Sequence, residues 1–142
     1  MFDEPQATGS VLALGDVRLL APTAPSKVIA MWNNFHALAA KLNLAEPAEP
    51  LYFLKSPNSF AAHGELIRKP RVEAKVVVEG ERGIVIGKTC SGVAEADALA
   101  HVFGYTCAND VTMADILNRD ASFAQWTRAK GFDTFCPFGP WI

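Results

Sequence analysis

The chain has 142 residues, half of them hydrophobic and a fifth charged, with a formal net charge of −2. That length supports one domain with a core of its own and is short for two, and so apolar a composition excludes a disordered chain. No Lys/Arg block stands out, which argues against nucleic acid as a partner, and no apolar run reaches the roughly 20 residues of a membrane-crossing helix. The acidic start, MFDEPQATGS, lacks a basic stretch followed by an apolar one, so no secretory signal is expected and a cytoplasmic location is. Three widely spaced cysteines, Cys90, Cys107 and Cys136, form no Cys-x-x-Cys pair. A zinc knuckle or thioredoxin-like motif is therefore excluded, and all three are expected to be core or near-core fillers in a reducing compartment.

Met1 to Ser10 reads as a loosely ordered lead. VLALGDVRLL, residues 11–20, predicts two short strands about the turn signal Gly15-Asp16. Together these make residues 1–26 a lead ahead of a domain over 27–142. Lys27 to Trp32 predicts a buried strand. The alanine- and leucine-rich stretch after it predicts a helix, capped by Asn33 or Asn34 and ended by Pro47 and Pro50. Leu51 to Leu54 predicts a short strand, and Ser56 to Arg71 a loop with short strands. KVVVEGERGIVI, residues 75–86, carries the strongest β signal. A short helix over Val93–Phe103 with Ser91 as cap, a strand over Tyr105–Ala108, a helical turn within Val111–Arg119 and a loop-rich end follow. The sum is a β-rich α+β chain, not an alternating βαβ pattern.

Glu79 and Glu81 are the first candidates for chemistry. On a continuous strand they share one face with Val77, Gly83 and Val85. Two neighbouring carboxylates repel unless a cation or a proton lies between them, and oxygen-only ligands suit Mg²⁺, Mn²⁺ or Ca²⁺ better than zinc. On pattern alone, though, Glu79-Gly80 reads better as the solvated tip of a hairpin between VVV and GIVIG. Asp110, after the apolar segment FGYTCAN, reads by itself as a helix cap. Lys130, among Trp126, Phe132 and Phe135, reads as a surface side chain lying along apolar neighbours. His36, beside Phe35, reads as structural, and His63 and His101 as surface or cap residues. No phosphate loop, nucleophile elbow or His-Glu metalloprotease motif is present.

Four segments, taken in order, resemble one family. Phe53-Leu54-Lys55-Ser56-Pro57, Glu79-Gly80-Glu81 followed by Gly83-Ile84-Val85-Ile86-Gly87, Gly104 to Thr112 (GYTCANDVT), and Gln125 to Phe135 (QWTRAKGFDTF) resemble the "FLKP", "E-x-E", "GYTxxNDVT" and "QWxRxKxxDxF" segments of the fumarylacetoacetate hydrolase superfamily. Pro137-x-Gly139-Pro140 closes the last. The resemblance covers about Lys27 to Ile142. Each motif is weak alone; their shared order and spacing are specific.

The resemblance implies a mixed β-roll and a Mg²⁺ or Mn²⁺ site with Glu79, Glu81 and Asp110 as ligands. It implies Lys130 and Gly131 at the substrate, and His36 as a catalytic residue. It further implies isomerase, decarboxylase or C–C hydrolase chemistry on 2-oxo or 2-hydroxy-dienoic and β-diketo acids, nearest to the hydroxyhepta-dienedioate isomerase and decarboxylase branch of aromatic catabolism. A metal there polarises adjacent substrate oxygens as enolate charge develops. A keto or enol acid substrate and a homodimer are the expected partners. Three departures stand out. Ala114 and Leu117 occupy places where the family often has Arg and Gln, although Asp115 is kept. Ala39 stands where a lid glutamate follows the histidine, which favours proton shuffling over hydrolysis. Family members usually continue past the "GP" segment into strands that close the roll and a "GTPxG" loop. The chain is thus expected to be the N-terminal part of the roll, with apolar surface exposed. The alternative is an inactive fragment that retains metal binding or partner association.

Overall fold

The computed structural model describes residues 6–142, and the lead expected over Met1 to Ser10 falls partly outside them. Strands β1 (Val28–Trp32) and β2 (Leu51–Lys55) pair antiparallel, with Val28 opposite Lys55 and Trp32 opposite Leu51. Helix α1 (His36–Leu42) lies between them in sequence and ends on Asn43 in the left-handed conformation. The predicted asparagine cap is not made: Phe35 precedes the helix without a side-chain cap bond. Asn33 instead turns its amide to donate to the Ala45 carbonyl at 2.8 Å, closing the loop around α1.

Strand β3 (Phe60–Ala61) runs parallel to β8 (Cys136–Pro137), and β4 (Val76–Val77) antiparallel to β7 (Thr112–Met113). The longest ladder joins β5 (Gly80–Ile86) to β6 (Val102–Asn109), from Gly80 opposite Asn109 to Ile86 opposite Val102. The hairpin between VVV and GIVIG does not form, because the two halves pair with different strands. The chain between them is held extended instead. The Asp110 N–H donates to the Glu79 carbonyl at 2.9 Å, and the Glu79 N–H donates to Asn109 Oδ1 at 3.1 Å. Helices α2 (Ala114–Leu117) and α3 (Trp126–Lys130) complete a strand-rich, open α/β arrangement. No described helix is long and apolar enough to cross a membrane.

Two further predicted elements differ. Residues 11–20 form no strand but a 3-10 turn at Leu14–Asp16, with Val11, Leu12, Leu14 and Leu20 exposed, since no neighbouring strand offers a ladder. Glu95–His101 is a 3-10 run rather than an α-helix, and Ala94 rather than Ser91 precedes it. None of its residues is buried, so no packed apolar stripe rewards the α form.

The core comes mostly from the C-terminal third. Val111, Met113, Ile116, Ala129 and Phe135 are buried together, with Ala74, Val76, Leu117 and Phe132 packed against them. It anchors both ends of the Asp110–Lys130 segment. Elsewhere the sheets are one-sided. Ile29, Met31, Tyr52 and Leu54 lie exposed on the outer face of β1–β2, and Ile84, Ile86 and Tyr105 on that of β5–β6. Cys136 is buried, whereas Cys90 and Cys107 are exposed and are not core fillers. Cys107 falls on the outward face of β6, where strand alternation turns it from the core.

Candidate functional site

Strand alternation builds the first part of the site. In β5 the even-numbered residues from Gly80 to Ile86 face out, and Glu81, Gly83 and Val85 face in. Glu81 therefore points the way the sequence pattern predicts. Glu79 immediately precedes β5, fixed through both its backbone groups to Asn109 and Asp110. Asp110 follows the last residue of β6, so the ladder that sets Gly80 opposite Asn109 also brings Glu79 and Asp110 side by side.

Asp110 is neither a helix cap nor a solvated loop residue. It is only 8% exposed and lies between two buried lysines. Its Oδ2 accepts from Lys130 Nζ at 2.6 Å and its Oδ1 from Lys55 Nζ at 2.7 Å. Lys130, 3% exposed, does not lie along the surface. Its ammonium also donates to Glu79 Oε2 and to Thr112 Oγ1, each at 2.6 Å, and sits 5.2 Å from the centre of the Phe53 ring. All three of its protons are committed. Short α3 aims Lys130 inward, and Gly131 ends that helix for a steric reason: a Cβ there would stand 2.5 Å from the Thr127 carbonyl oxygen. The Gly131 carbonyl accepts from Asn58 Nδ2 at 3.0 Å.

Lys55 is the residue that sequence reasoning left without a role, although it stands inside the "FLKP" segment. The missed signal is its phase. Phe53 and Lys55 are two apart on β2 and share the buried face, while Leu54 faces out. Lys55 is 2% exposed and donates to Asp110 and to the Phe135 carbonyl at 2.9 Å. Burial pushes its pKa below the ordinary lysine value, against the opposing pull of Asp110. Glu81 shifts upward: burial raises its pKa first, and the charges of Asp110 and Glu79 add to that. The three carboxylates thus share one electrostatic environment.

That donor set is tested as a metal site by its chemistry. Three carboxylates form an all-oxygen set suited to a hard divalent cation, and a cationic group, the Lys130 ammonium, already bridges two of them. As the side chains stand, no group of three His, Cys, Asp or Glu among the described residues is close enough to hold an ion. The residue types fit; coordination requires Glu79 and Asp110 to share Lys130's place or yield it.

His36 is not brought to this cluster. It opens α1, is exposed, and makes no hydrogen bond to the carboxylates or lysines. It lines a shallow cavity of ≈ 250 Å³ with Trp32, Ala39 and Glu46. At the end of β1, Trp32 meets Trp126 at 5.6 Å, and Trp126 stacks on Phe53 at 5.4 Å. A larger cavity of ≈ 660 Å³, between residues 14–19 and 63–68, holds none of the predicted site residues. Of the positions that depart from the family pattern, Leu117 packs on the core. Asp115, which the pattern keeps, accepts through Oδ2 from the Lys75 N–H at 2.6 Å.

Residues 27–142 match the family described as Fumarylacetoacetate (FAA) hydrolase C-terminal, and residues 1–22 match one described as Rv2993c-like, N-terminal. Protein Rv2993c of Mycobacterium tuberculosis is 44% identical over 99% of this chain and 52% of its own length. The crystal structure of 2-hydroxyhepta-2,4-diene-1,7-dioate isomerase from Mycobacterium marinum superposes with a TM-score of 0.82 at 43% identity, over 97% of this chain and 50% of that one. Oxaloacetate tautomerase fahd2 of Xenopus laevis is 38% identical over 92% of this chain and 41% of its own length. The chain spans about half the length of the first two and less of the third.

Proposed function

This chain belongs to the fumarylacetoacetate hydrolase family, and we propose that it carries the metal- and enolate-binding part of an isomerase or tautomerase acting on 2-oxo or 2-hydroxy-dienoic acids. Decarboxylation or C–C cleavage of related β-diketo acids, within the breakdown of aromatic compounds, is the wider range of the same chemistry. The observation that carries the proposal is the cluster of Glu79, Glu81 and Asp110 with Lys130 where β5 and β6 begin and end. Isomerase and tautomerase names among the similar proteins support it.

Glu79, Glu81 and Asp110 would hold Mg²⁺ or Mn²⁺, which when bound supplies a Lewis acid for adjacent substrate oxygens. Lys130 presents a fixed positive charge beside that place and steadies negative charge as it develops. The backbone at Gly131 limits the space next to it, and a substrate would lie against it. His36 is the proposed proton carrier, brought to the site by movement of the α1 segment. The exposed apolar faces of β1–β2 and β5–β6 support association with further polypeptide, and homodimerisation is the proposed form.

Calorimetric titration with Mg²⁺ and Mn²⁺ tests the metal site. Saturable binding that is lost in Glu81→Ala is expected; unchanged affinity in that variant would sink it. Enol–keto conversion of a 2-hydroxydienoic acid, followed by ultraviolet absorbance, tests the reaction.

A further inference from the structure

We infer that Lys55 is a positioning residue that sets the cation preference of this site by restricting Asp110 to a single ligating oxygen. The inference rests on the metal reading above. Lys55 is held from three sides: its ammonium donates to Asp110 Oδ1, to the Phe135 carbonyl and, at 3.5 Å, to the Val111 carbonyl. The two carbonyls belong to the segments that form the core, and Phe135 and Val111 are themselves fully buried. The ammonium is therefore fixed by the fold as well as by the carboxylate, and among the described residues no other carboxylate pairs with it if Asp110 turns away.

Asp110 is in turn divided. Its Oδ1 is tied to Lys55, at the buried end, and its Oδ2 faces Lys130 and Glu79, toward the more open side. The side chain of Glu79 there is 40% exposed, against 1% for Lys55. Surrendering Oδ2 leaves Lys130 its bonds to Glu79 Oε2 and Thr112 Oγ1, whereas surrendering Oδ1 leaves Lys55 with backbone carbonyls alone. One-oxygen carboxylate ligation suits Mg²⁺, which demands a near-octahedral shell. Ca²⁺ takes more ligands and accepts two oxygens from one carboxylate. A lysine that withholds Oδ1 thus selects the smaller ion.

The test compares Mg²⁺ and Ca²⁺ affinities, each ion alone, in the wild-type chain and in Lys55→Met, which keeps the unbranched stem. The ratio of the two affinities is the readout, since removal of one positive charge alone strengthens both ions alike. Outer partners of metal ligands commonly change affinity by about 10–100-fold. The Mg²⁺-over-Ca²⁺ ratio is accordingly expected to fall by about tenfold or more. A ratio unchanged in Lys55→Met overturns the inference while leaving the metal site standing. Failure of the wild-type chain to bind either ion overturns the metal reading itself. Should Lys55→Met not fold, ¹³C-aspartate infrared difference spectra of the wild-type chain on adding Mg²⁺ decide: a one-oxygen signature supports the inference and a two-oxygen signature overturns it.

Discussion

Replacing Asp110 by Asn removes one negative charge and changes no shape. Its oxygens face two ammoniums, Lys55 and Lys130, which are 2% and 3% exposed. An amide offers one oxygen and one NH₂, so one ammonium must meet a donor instead of an acceptor. Lys130 keeps Glu79 and Thr112 as acceptors, whereas Lys55 keeps only backbone carbonyls. The cost falls on Lys55. Breaking a buried ion pair from one side costs about 3–5 kcal/mol, which at roughly 3–4 °C per kcal/mol for a chain of this size lowers Tm by roughly 10 °C or more.

The loss also has a pH signature. The folded-state pKa of Lys55 is already below its unfolded value because of burial. The unfolded chain therefore holds more protons between the two values, and stability rises with pH through that window. Without Asp110, its charge and hydrogen bond no longer support the protonated lysine, and the window opens at lower pH. The difference between wild type and Asp110→Asn is expected to be largest near neutral pH and to shrink by about pH 10. Urea unfolding followed by tryptophan fluorescence measures it, since Trp126 stacks on the Phe53 ring beneath Lys130. A destabilisation below about 1 kcal/mol, no more than one ordinary hydrogen bond, or one that grows with pH, would refute the buried-pair account.

Glu81→Gln acts in the opposite direction. The Glu81 pKa is raised by burial and then by Asp110 and Glu79, so its ionised form opposes folding above that raised value. Without metal the variant should melt higher than wild type near neutral pH, with the gain gone once both states are protonated at about pH 3. Differential scanning calorimetry at the two pH values reads this, and added Mg²⁺ should stabilise only the wild type. His36→Asn should leave metal affinity and Tm nearly unchanged, because the side chain is exposed and makes no hydrogen bond, while lowering isomerisation by about 10²-fold or more if it carries the proton; equal turnover would remove it from the mechanism. Of the three thiols, Cys90 and Cys107 should react with a disulfide reagent in the native chain. Cys136 should react only on unfolding, since burial pushes its pKa to about 11; three rapidly titrating thiols would contradict its placement.

What the sequence disclosed depended on range. The inward face of Glu81 follows from period-two alternation, a local rule, and the structure keeps that alternation over β5. The choice of partner strand is not local. Val76–Val77 and Gly80–Ile86 look like two arms of a hairpin, yet β7 and β6 take them separately, because the Glu79 backbone, bonded to the Asn109 side chain and the Asp110 N–H, holds the turn open. Those bonds join residues about 30 apart, beyond what any window of sequence displays. Lys130 was misplaced on pattern alone for a similar reason. A lysine among aromatics lies buried only if acceptors await it, and here they come from Glu79, Asp110 and Thr112 on other segments. Lys55 carried a readable sign, a charged residue in phase with Phe53, but its two carbonyl partners lie more than 50 residues away. The family motifs supplied the long-range information that alternation could not.

The charges at the site bear on the proposed metal and substrate together. Glu79, Glu81 and Asp110 meet two ammoniums, and each ammonium is matched to Asp110 or Glu79 by a direct bond. Among the described residues Glu81 has no such partner: the Lys130 charge lowers its pKa, and burial, Asp110 and Glu79 each push it up more. One negative charge is left over, on Glu81, whose ionisation burial opposes. A protein selected only for stability would place a neutral side chain there. A divalent cation would relieve Glu81 and leave the cluster with one net positive charge. An anionic acid, with a carboxylate beside its keto or enol oxygen, would then complete the balance. On that proposal a neutral substrate would leave one positive charge unmatched. On the proposed reading, the excess on Glu81 would link the metal and the acid substrate as two halves of one charge requirement.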